Sequence, residues 1–480
     1  LTDVTGVQTC ALPISGIPIL FAADCEQGVP HSFSVGTELP WQMAIGSTGN
    51  PELARKAGMV VGTEARAIGI DIVYGPVADV NSNPKNKLIM TRCFGANPET
   101  VSEFVRAYVE GLQSAGVIAA LKHFPGHGEA EEDSHLTLPH DFSDKEFIQK
   151  THLPPFQAGI EAGAGVIMTG HVVMHAWDAT VPATLSSFAL TDILRNQLRF
   201  EGVLITDSLN MHAIKKCTAK NVSKNREELA LQSLIAGADI LMHPGRLTFT
   251  CDTIKQALQE GTLSQERLDT AVRRVLDLKA RMLPYQIAQQ ERQAEEILFS
   301  PKHQDIAQEI ANHSITIMGD APLSVLPQSP VEVVVVIDNA GREIAMTTAF
   351  QDRIMELRPG SRIYVLEEKT SPQSWNDVES ALRTSPNPLV LGIMCPMMWF
   401  KGRSLLPESL TNRLTQILDG LTVQASAVFG SPFILDSLPG KTKLCAYGPS
   451  LASQKAAANA LLGLLQPGKI LPTPGPREAS

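Results

Sequence analysis

The sequence has no apolar run long enough to span a bilayer, no closely paired cysteines and no dense cluster of basic residues. Its longest apolar stretch, residues 11–23, is interrupted by proline and glycine, whereas a membrane helix needs roughly 20 apolar residues in succession. Seven scattered cysteines argue against a disulfide framework or a zinc site. A net charge of −10 and a pI near 5.7 argue against nucleic acid or an anionic membrane as the main partner. We therefore expect a soluble protein that binds a small, mostly neutral molecule.

The first 14 residues, LTDVTGVQTCALPI, show neither strand alternation nor helical periodicity. They are similar to translated sequencing-adapter read-through, so we predict a non-native leader over residues 1–14 and a lost natural N-terminus. The compartment then stays open, because targeting signals are read from that end. Few cysteines and an acidic pI favour a cytoplasmic location, and a secreted or periplasmic one is compatible with the lost segment.

Apolar runs alternate with stretches of helical spacing through the first 285 residues. The runs are continuous, as in strands covered on both faces, and they span residues 19–23, 72–77, 117–121, 166–168, 203–205 and 238–242. Ionisable or polar residues follow every run, where the loops of a β/α barrel build an active site, whereas an open sheet gathers them at one crevice. We predict an α/β fold with an N-terminally incomplete (β/α)8 TIM-like barrel over residues 15–285.

A second domain is predicted beyond the barrel, since 480 residues exceed what one core usually fills. Residues 286–314 are rich in Gln, Glu and Lys and indicate a connecting helix and linker. Strand-like runs follow at residues 331–337, 363–366, 389–393, 423–429 and 444–447. This pattern predicts a C-terminal α/β sandwich over residues 315–480. Its strand ends carry few catalytic residue types, so we expect a structural or substrate-rim role.

Asp207 ends the fifth run within the segment ITDS, residues 205–208. An aspartate in this place can cap the next helix, or it can act as a carboxylate nucleophile at the barrel mouth. Its position among other ionisable strand-end residues favours the nucleophile. Lys122 and Arg92 are available to keep it ionised.

Asp133 and His135 lie two residues apart on a loop rich in Gly and Glu. On an irregular loop the carboxylate can bind one imidazole nitrogen, orient the ring and raise its basicity, which suits an acid/base near neutral pH. The alternative is a solvated acidic loop with an incidental histidine. The neighbouring segment KHFPGHG, residues 122–128, favours the catalytic interpretation.

Lys122 and His123 end the third run, where lysine is rarely placed without a polar partner. We predict that both donate hydrogen bonds to ligand hydroxyls, and that His127, between two glycines, shapes the loop. His123, His127 and His135 are metal-ligating residue types, but Pro125 and the flanking glycines disfavour the helix that a histidine pair of this spacing would need to share a metal. No metal is predicted.

Three further strand-end residues are candidate substrate ligands. Arg92 follows a polar loop and is either a ligand contact or a structural ion pair. Asp24 stands directly at its strand end and is a better ligand candidate than Glu26, which can anchor the loop. His171 follows the fourth run and completes the predicted substrate-binding set.

Taken in order, these segments resemble glycoside hydrolase family 3 over nearly the whole chain. They are Asp24-x-Glu26, DVNSNP (79–84), RCFG (92–95), KHFPGHG (122–128), DSH (133–135), MTGH (168–171), ITDSLNM (205–211) and GKILP (468–472). KHFPGHG followed by DSH is similar to the β-N-acetylhexosaminidase branch, which implies a His–Asp dyad as the acid/base. The β-glucosidase branch takes its acid from elsewhere, commonly the second domain.

The resemblance implies a role for each matching residue. Asp207 would be the nucleophile, His135 the acid/base and Asp133 its orienting partner. The sugar ligands would be Asp24, Arg92, Lys122 and His123. One departure concerns the first motif: relatives have D-x-E-G-G-R-V-x-R, whereas residues 24–32 here read DCEQGVPHS. Both arginines are absent, which bears on substrate preference.

The resulting hypothesis is a retaining, exo-acting β-N-acetylglucosaminidase that needs no metal or organic cofactor and acts on glycans or peptidoglycan fragments. Rival activities on the same scaffold are a β-glucosidase or xylosidase, and a phosphorylase in which phosphate replaces water. A rival of another class is a non-catalytic carbohydrate-binding protein. Intact Asp207, Asp133 and His135 favour an enzyme.

Overall fold

A computed structural model describes residue 17 and residues 19–215, 225–282, 291–318, 325–338, 348–397 and 405–468. The predicted leader, residues 1–14, and most of GKILP lie outside the described residues. The strands, numbered in chain order, are β1 (Ala22–Ala23), β2 (Ile72–Val73), β3 (Ile118–Phe124), β4 (His140–Asp141), β5 (Val166–Thr169), β6 (Val173–Met174), β7 (Val203–Ile205), β8 (Thr316–Ile317), β9 (Glu332–Ile337), β10 (Arg362–Glu367), β11 (Leu389–Cys395), β12 (Val423–Gly430) and β13 (Thr442–Cys445).

Helices separate most of these strands. The α-helices are Gln42–Ser47, Pro51–Ala67, Pro98–Ser114, Lys145–Phe147, Leu153–Glu161, His212–Lys215, Arg226–Ala236, Leu247–Glu260, Gln265–Met282, Glu291–Leu298, Pro301–Ser314, Ala349–Leu357, Pro372–Thr384, Glu408–Leu418 and Leu451–Leu461. Within the described ranges no helix is long and apolar enough to cross a membrane.

The first sheet is parallel, with strand order β1-β2-β3-β5-β7. A bridge from Ile205 to Ile240 adds a sixth position after β7, so all six predicted runs contribute to it. The strands are buried between helices on the outside and an inner apolar layer. This arrangement confirms the predicted TIM-like α/β class and brings the strand ends, with their polar residues, to one face.

Two neighbouring helices on the outside of the sheet show how local sequence sets the fold. Pro51–Ala67 and Pro98–Ser114 each begin with an Asn-Pro pair, in which Asn50 or Asn97 accepts a backbone N–H bond as the N-cap. Glycines allow the helices to approach closely, since a Cβ on Gly58 would lie 2.3 Å from the Tyr108 carbonyl oxygen.

A short parallel ribbon of β4 and β6 supports the loop that carries Asp133 and His135. At the end of β4, Asp141 is fully buried and binds His152 Nε2 at 2.9 Å. Burial opposes ionisation of Asp141, but the bonds from His152 and Ser143 hold the pKa of its carboxyl below the ordinary value. The ribbon therefore fixes the C-terminal end of the loop.

The second sheet has the order β10-β9-β11-β12-β13-β8 and is parallel except for β8. Five of its strands match the five predicted runs, and helices flank the sheet, which confirms the α/β sandwich. The sequence missed β8 because two residues, Thr316 and Ile317, are too few to show periodicity.

The predicted connecting segment forms two helices, Glu291–Leu298 and Pro301–Ser314. The second buries Ile306 and Ile310 in the main core, and Glu309 pairs with Lys56 on the barrel side at 2.8 Å. This part of the segment is thus a packed element as well as a connection. The domain boundaries given above stay predictions.

Candidate active site

A cavity of about 440 Å³ opens at the strand ends of the first sheet, a size within the range of small-molecule sites. It brings together six of the eight predicted site residues. Its lining is Asp24, Leu88, Arg92, Lys122, His123, Ser134, His135, Met168, Asp207, Ser208, Asn210, Met211, His212, Met242 and His243. Asp133 and His171 lie behind this lining.

Two cations and two carboxylates form one network on one side of the cavity. Lys122 Nζ lies 2.5 Å from Asp24 Oδ1 and 2.7 Å from Glu26 Oε1. Arg92 donates two bonds to Glu26, each 2.8 Å long. Burial opposes ionisation of Glu26, but Arg92 and Lys122 hold its pKa well below the ordinary value. Glu26 is therefore ionised at neutral pH.

The network separates the roles predicted for Asp24 and Glu26. Glu26 is enclosed and anchors the loop, whereas the Asp24 side chain is 40% exposed and reaches the cavity. Arg92 forms a structural ion pair with Glu26 and is also in place to contact a ligand, because it lines the cavity.

His123 is held by a second buried carboxylate, Asp79. His123 Nδ1 lies 2.8 Å from Asp79 Oδ2, and the other carboxylate oxygen accepts the N–H of His127 at 2.7 Å. Burial works against the Asp79 charge, but His123 and His127 lower the pKa of this carboxyl. A neutral His123 bound through Nδ1–H presents Nε2 as an acceptor, and only the imidazolium donates there.

His127 is enclosed, and burial lowers its pKa to about 4. Its backbone N–H binds Asp79 and its carbonyl accepts from Asn86 Nδ2 at 2.8 Å. These contacts are consistent with the predicted role in shaping the loop.

Across the described part of the chain, no group of three or more His, Cys, Asp or Glu side chains is arranged so that it could hold a metal ion.

Asp133 and His135 form a hydrogen-bonded pair. His135 Nδ1 lies 2.8 Å from Asp133 Oδ1, which also accepts the His135 backbone N–H at 2.8 Å. Although burial disfavours the Asp133 charge, these bonds lower the pKa of the carboxyl. An ionised Asp133 on Nδ1 leaves the transferable proton of the ring on Nε2. The contact with Asp133 therefore holds the imidazole ring in one orientation.

Asp207 lies in the cavity wall directly after β7. Its Oδ1 accepts the backbone N–H of Ser208 at 2.7 Å. Burial raises the pKa of Asp207, but His171, His123 and the Ser208 N–H more than offset this and lower it. The carboxylate is therefore ionised in the folded protein.

The partners of Asp207 differ from the sequence-based prediction that Lys122 and Arg92 would keep it ionised. Lys122 is bonded to Asp24 and Glu26, and Arg92 to Glu26. The groups that lower the pKa of Asp207 are instead histidines and a backbone N–H. Sequence order did not show which carboxylates the two cations would meet.

His171 also differs from its predicted role as a substrate ligand. It is buried, its Nε2 donates to the Ser208 carbonyl oxygen at 3.0 Å, and its Nδ1 lies 2.8 Å from Thr184 Oγ1. Burial lowers the pKa of His171. His171 supports the Asp207 loop from behind and does not line the cavity.

The sequence analysis assigned no role to one wall of the cavity, which is lined by Ser208, Asn210, Met211, His212 and His243. Ser208, Asn210 and Met211 belong to the ITDSLNM segment, and His243 is the polar residue after the sixth run. The positions that hold arginine in relatives are Val29, which is buried, and Ser32, whose Oγ donates to the Asp24 carbonyl oxygen at 2.7 Å.

Comparisons with known proteins agree with this architecture. Residues 5–278 match the model of the glycosyl hydrolase family 3 N terminal domain. A β-N-acetylglucosaminidase/β-glucosidase of Cellulomonas fimi is 30% identical over 336 residues, which are 68% of this chain and 58% of that protein. The chain thus spans little more than half the length of this relative.

Solved structures are similar over almost the whole chain. A family 3 β-N-acetylglucosaminidase from Paenibacillus sp. str. FPU-7 has a TM-score of 0.83 and 28% identity, covering 98% of this chain and 88% of that one. A β-glucoside phosphorylase has a TM-score of 0.85 and 25% identity, covering 100% of this chain and 88% of that one. The scaffold is therefore shared by proteins of different activity.

Proposed function

This chain belongs to glycosyl hydrolase family 3, and on that basis we propose that it is a retaining, exo-acting β-N-acetylglucosaminidase. The observation that carries the proposal is the Asp133–His135 pair, bonded at 2.8 Å, at the cavity that Asp207 also lines. A carboxylate nucleophile and a separate proton donor are what hydrolysis with retention requires. The substrate would be a terminal β-linked N-acetylhexosamine of a glycan or peptidoglycan fragment.

In the first step, Asp207 attacks the anomeric carbon. A bond forms between its carboxylate oxygen and that carbon while the bond to the leaving oxygen breaks. His135 gives its Nε2 proton to the departing oxygen, and Asp133 stabilises the ring while it is cationic. The Ser208 N–H holds the nucleophile at 2.7 Å.

In the second step, water attacks the same carbon from the side that the leaving group vacated. His135, now neutral, takes the proton of this water through Nε2. The bond to Asp207 breaks, and the product keeps the β configuration. A histidine suits this cycle because a second carboxylate would repel the ionised nucleophile.

The charged network would bind the sugar. Asp24, exposed to the cavity, accepts from hydroxyls, and Lys122 and Arg92 donate to them. The existing bonds within the network fix these groups before substrate arrives, which lowers the entropy cost of binding. His123, oriented by Asp79 at 2.8 Å, completes this side.

Phosphorolysis is a second candidate, favoured by the histidine itself. A neutral imidazole repels an approaching phosphate less than a carboxylate does, and a β-glucoside phosphorylase is among the similar structures. In that reaction phosphate would replace water in the second step and leave as the sugar 1-phosphate.

The proposal is tested by aryl-alcohol release from matched aryl β-N-acetylglucosaminide and β-glucoside, each with and without phosphate. The purified protein is first shown to unfold cooperatively. We expect faster release from the N-acetyl sugar, independent of phosphate. Preference for the glucoside would contradict the substrate, phosphate dependence would indicate a phosphorylase, and silence from a folded protein would favour carbohydrate binding without catalysis.

A further inference from the structure

His243 lies on the rim of the cavity, next to the loop that carries Asp207. Its Nδ1 is 2.8 Å from Ser208 Oγ. Its backbone has a φ of 53°, in the left-handed region that residues with a Cβ rarely adopt. Such conformations concentrate at functional sites, where the surrounding structure imposes them. The backbone conformation of His243 therefore indicates a functional role for its ring.

Ser208 connects His243 to the nucleophile, and several of its polar groups are engaged at once. Its N–H donates to Asp207 Oδ1 at 2.7 Å, and its carbonyl oxygen accepts from His171 Nε2 at 3.0 Å. Its hydroxyl faces His243 and also accepts the Asn210 N–H at 3.3 Å. The direction of the N–H that holds the Asp207 carboxylate thus depends on contacts to two histidines, one buried and one on the rim.

The two loops are also joined through their backbones, which keeps His243 over Ser208. Thr206 Oγ1 accepts the N–H of Met242 at 2.9 Å, and the Leu209 N–H donates to the Met242 carbonyl oxygen at 3.0 Å. These bonds flank Asp207 and Ser208 in sequence. A displacement of the His243 segment would therefore be passed to the nucleophile loop.

We propose that His243 is a positioning residue, which through the Ser208 hydroxyl holds the Asp207 carboxylate in the direction of attack. This inference rests on the proposed nucleophilic role of Asp207, but it does not depend on which sugar is bound. Precise placement of a reacting group matters most in the transition state, so loss of the contact should lower kcat while KM changes little.

The test compares His243→Gly with His243→Asn. Glycine accepts the left-handed backbone but has no side chain, whereas asparagine tolerates that backbone and can still bond the Ser208 hydroxyl. We expect His243→Gly to lower kcat, and the rate of glycosyl-enzyme formation, about tenfold, with KM within about twofold. His243→Asn should restore much of the rate. The exposed His313→Asn serves as a matched control, and thermal unfolding verifies each fold.

A second variant keeps the inference testable if His243→Gly unfolds. Ser208→Ala should show a similar kcat loss, and the double variant should be no slower than either single variant, since all remove one contact. Unchanged kcat in His243→Gly, a change in KM alone, or no rescue by asparagine would overturn the positioning role. Turnover by Asp207→Asn would instead overturn the proposed function.

Discussion

Asp24 and Glu26 are two residues apart and share the ammonium group of Lys122, yet they lie in opposite environments. Lys122 Nζ is 2.5 Å from Asp24 and 2.7 Å from Glu26, but the Asp24 side chain is 40% exposed and that of Glu26 is fully enclosed. The same cation therefore serves a carboxylate that faces the substrate cavity and one that holds the loop. Substitutions of the two should have different consequences.

Glu26→Gln should destabilise the fold, by about 3–5 kcal/mol at pH 7, because it leaves Arg92 and Lys122 with an unmet buried charge. The pKa of Glu26 is well below 4.5 in the folded protein and returns to about that value on unfolding. Its stabilisation is thus complete above pH 4.5 and is lost as the pH falls through the lower folded pKa. Denaturant unfolding of wild type and variant between pH 7 and pH 3 measures this.

Glu309→Gln is a matched control for that experiment, since Glu309 pairs with Lys56 but is 39% exposed. We expect it to cost less than about 1 kcal/mol. A loss for Glu26→Gln no larger than this, or a difference that grows as the pH falls, would contradict the account.

Asp24→Asn should instead affect catalysis. Without its carboxylate, residue 24 would accept weaker hydrogen bonds from the sugar hydroxyls. A charge-assisted hydrogen bond of this kind contributes about 10- to 100-fold in kcat/KM. Unfolding should change less than for Glu26→Gln because Asp24 is partly solvated. Steady-state kinetics and thermal unfolding of both variants check the contrast, with the exposed Asp277→Asn as control. Unchanged kcat/KM would remove Asp24 from the binding side.

His135→Ala should lower activity by about 10² to 10⁴ on substrates with poor leaving groups, which need full protonation. On aryl glycosides with good leaving groups, the rate of the first step should fall much less. Asp133→Asn keeps the imidazole but not its orientation, so its effect should be intermediate. Rates across a series of leaving groups measure this, and equal losses on all of them would argue against the acid role.

Asp207→Asn should reduce turnover on every substrate by at least about 10³, as expected when a nucleophile is removed. Because the pKa of Asp207 is below its ordinary value of 3.8, its own loss of activity with acid should begin only below that pH. The pH profile of kcat/KM tests this, and an acid limb of Asp207 that begins well above pH 3.8 would contradict it. Near-normal turnover by Asp207→Asn would remove Asp207 from the mechanism.

Much of the fold could be predicted from local pattern. Strand β7 begins and ends at the predicted residues 203 and 205, and the helices after Asn50 and Asn97 begin at Asn-Pro pairs. The pairing of charged residues could not be predicted in the same way. Arg92 meets Glu26 across 66 residues and Lys122 meets Asp24 across 98, and neither is implied by spacing.

The sequence by itself determined the alternation of strands and helices and the placement of polar residues after each strand. Hydrophobic periodicity and capping act between near neighbours, so they are written in short segments. Only the tertiary structure decided which of those polar residues face the cavity. A buried charge is costly without a partner, and the partners came from distant strands: Glu26 was enclosed by Arg92. Likewise His171 was bound behind Ser208, and His243 was brought beside the Asp207 loop.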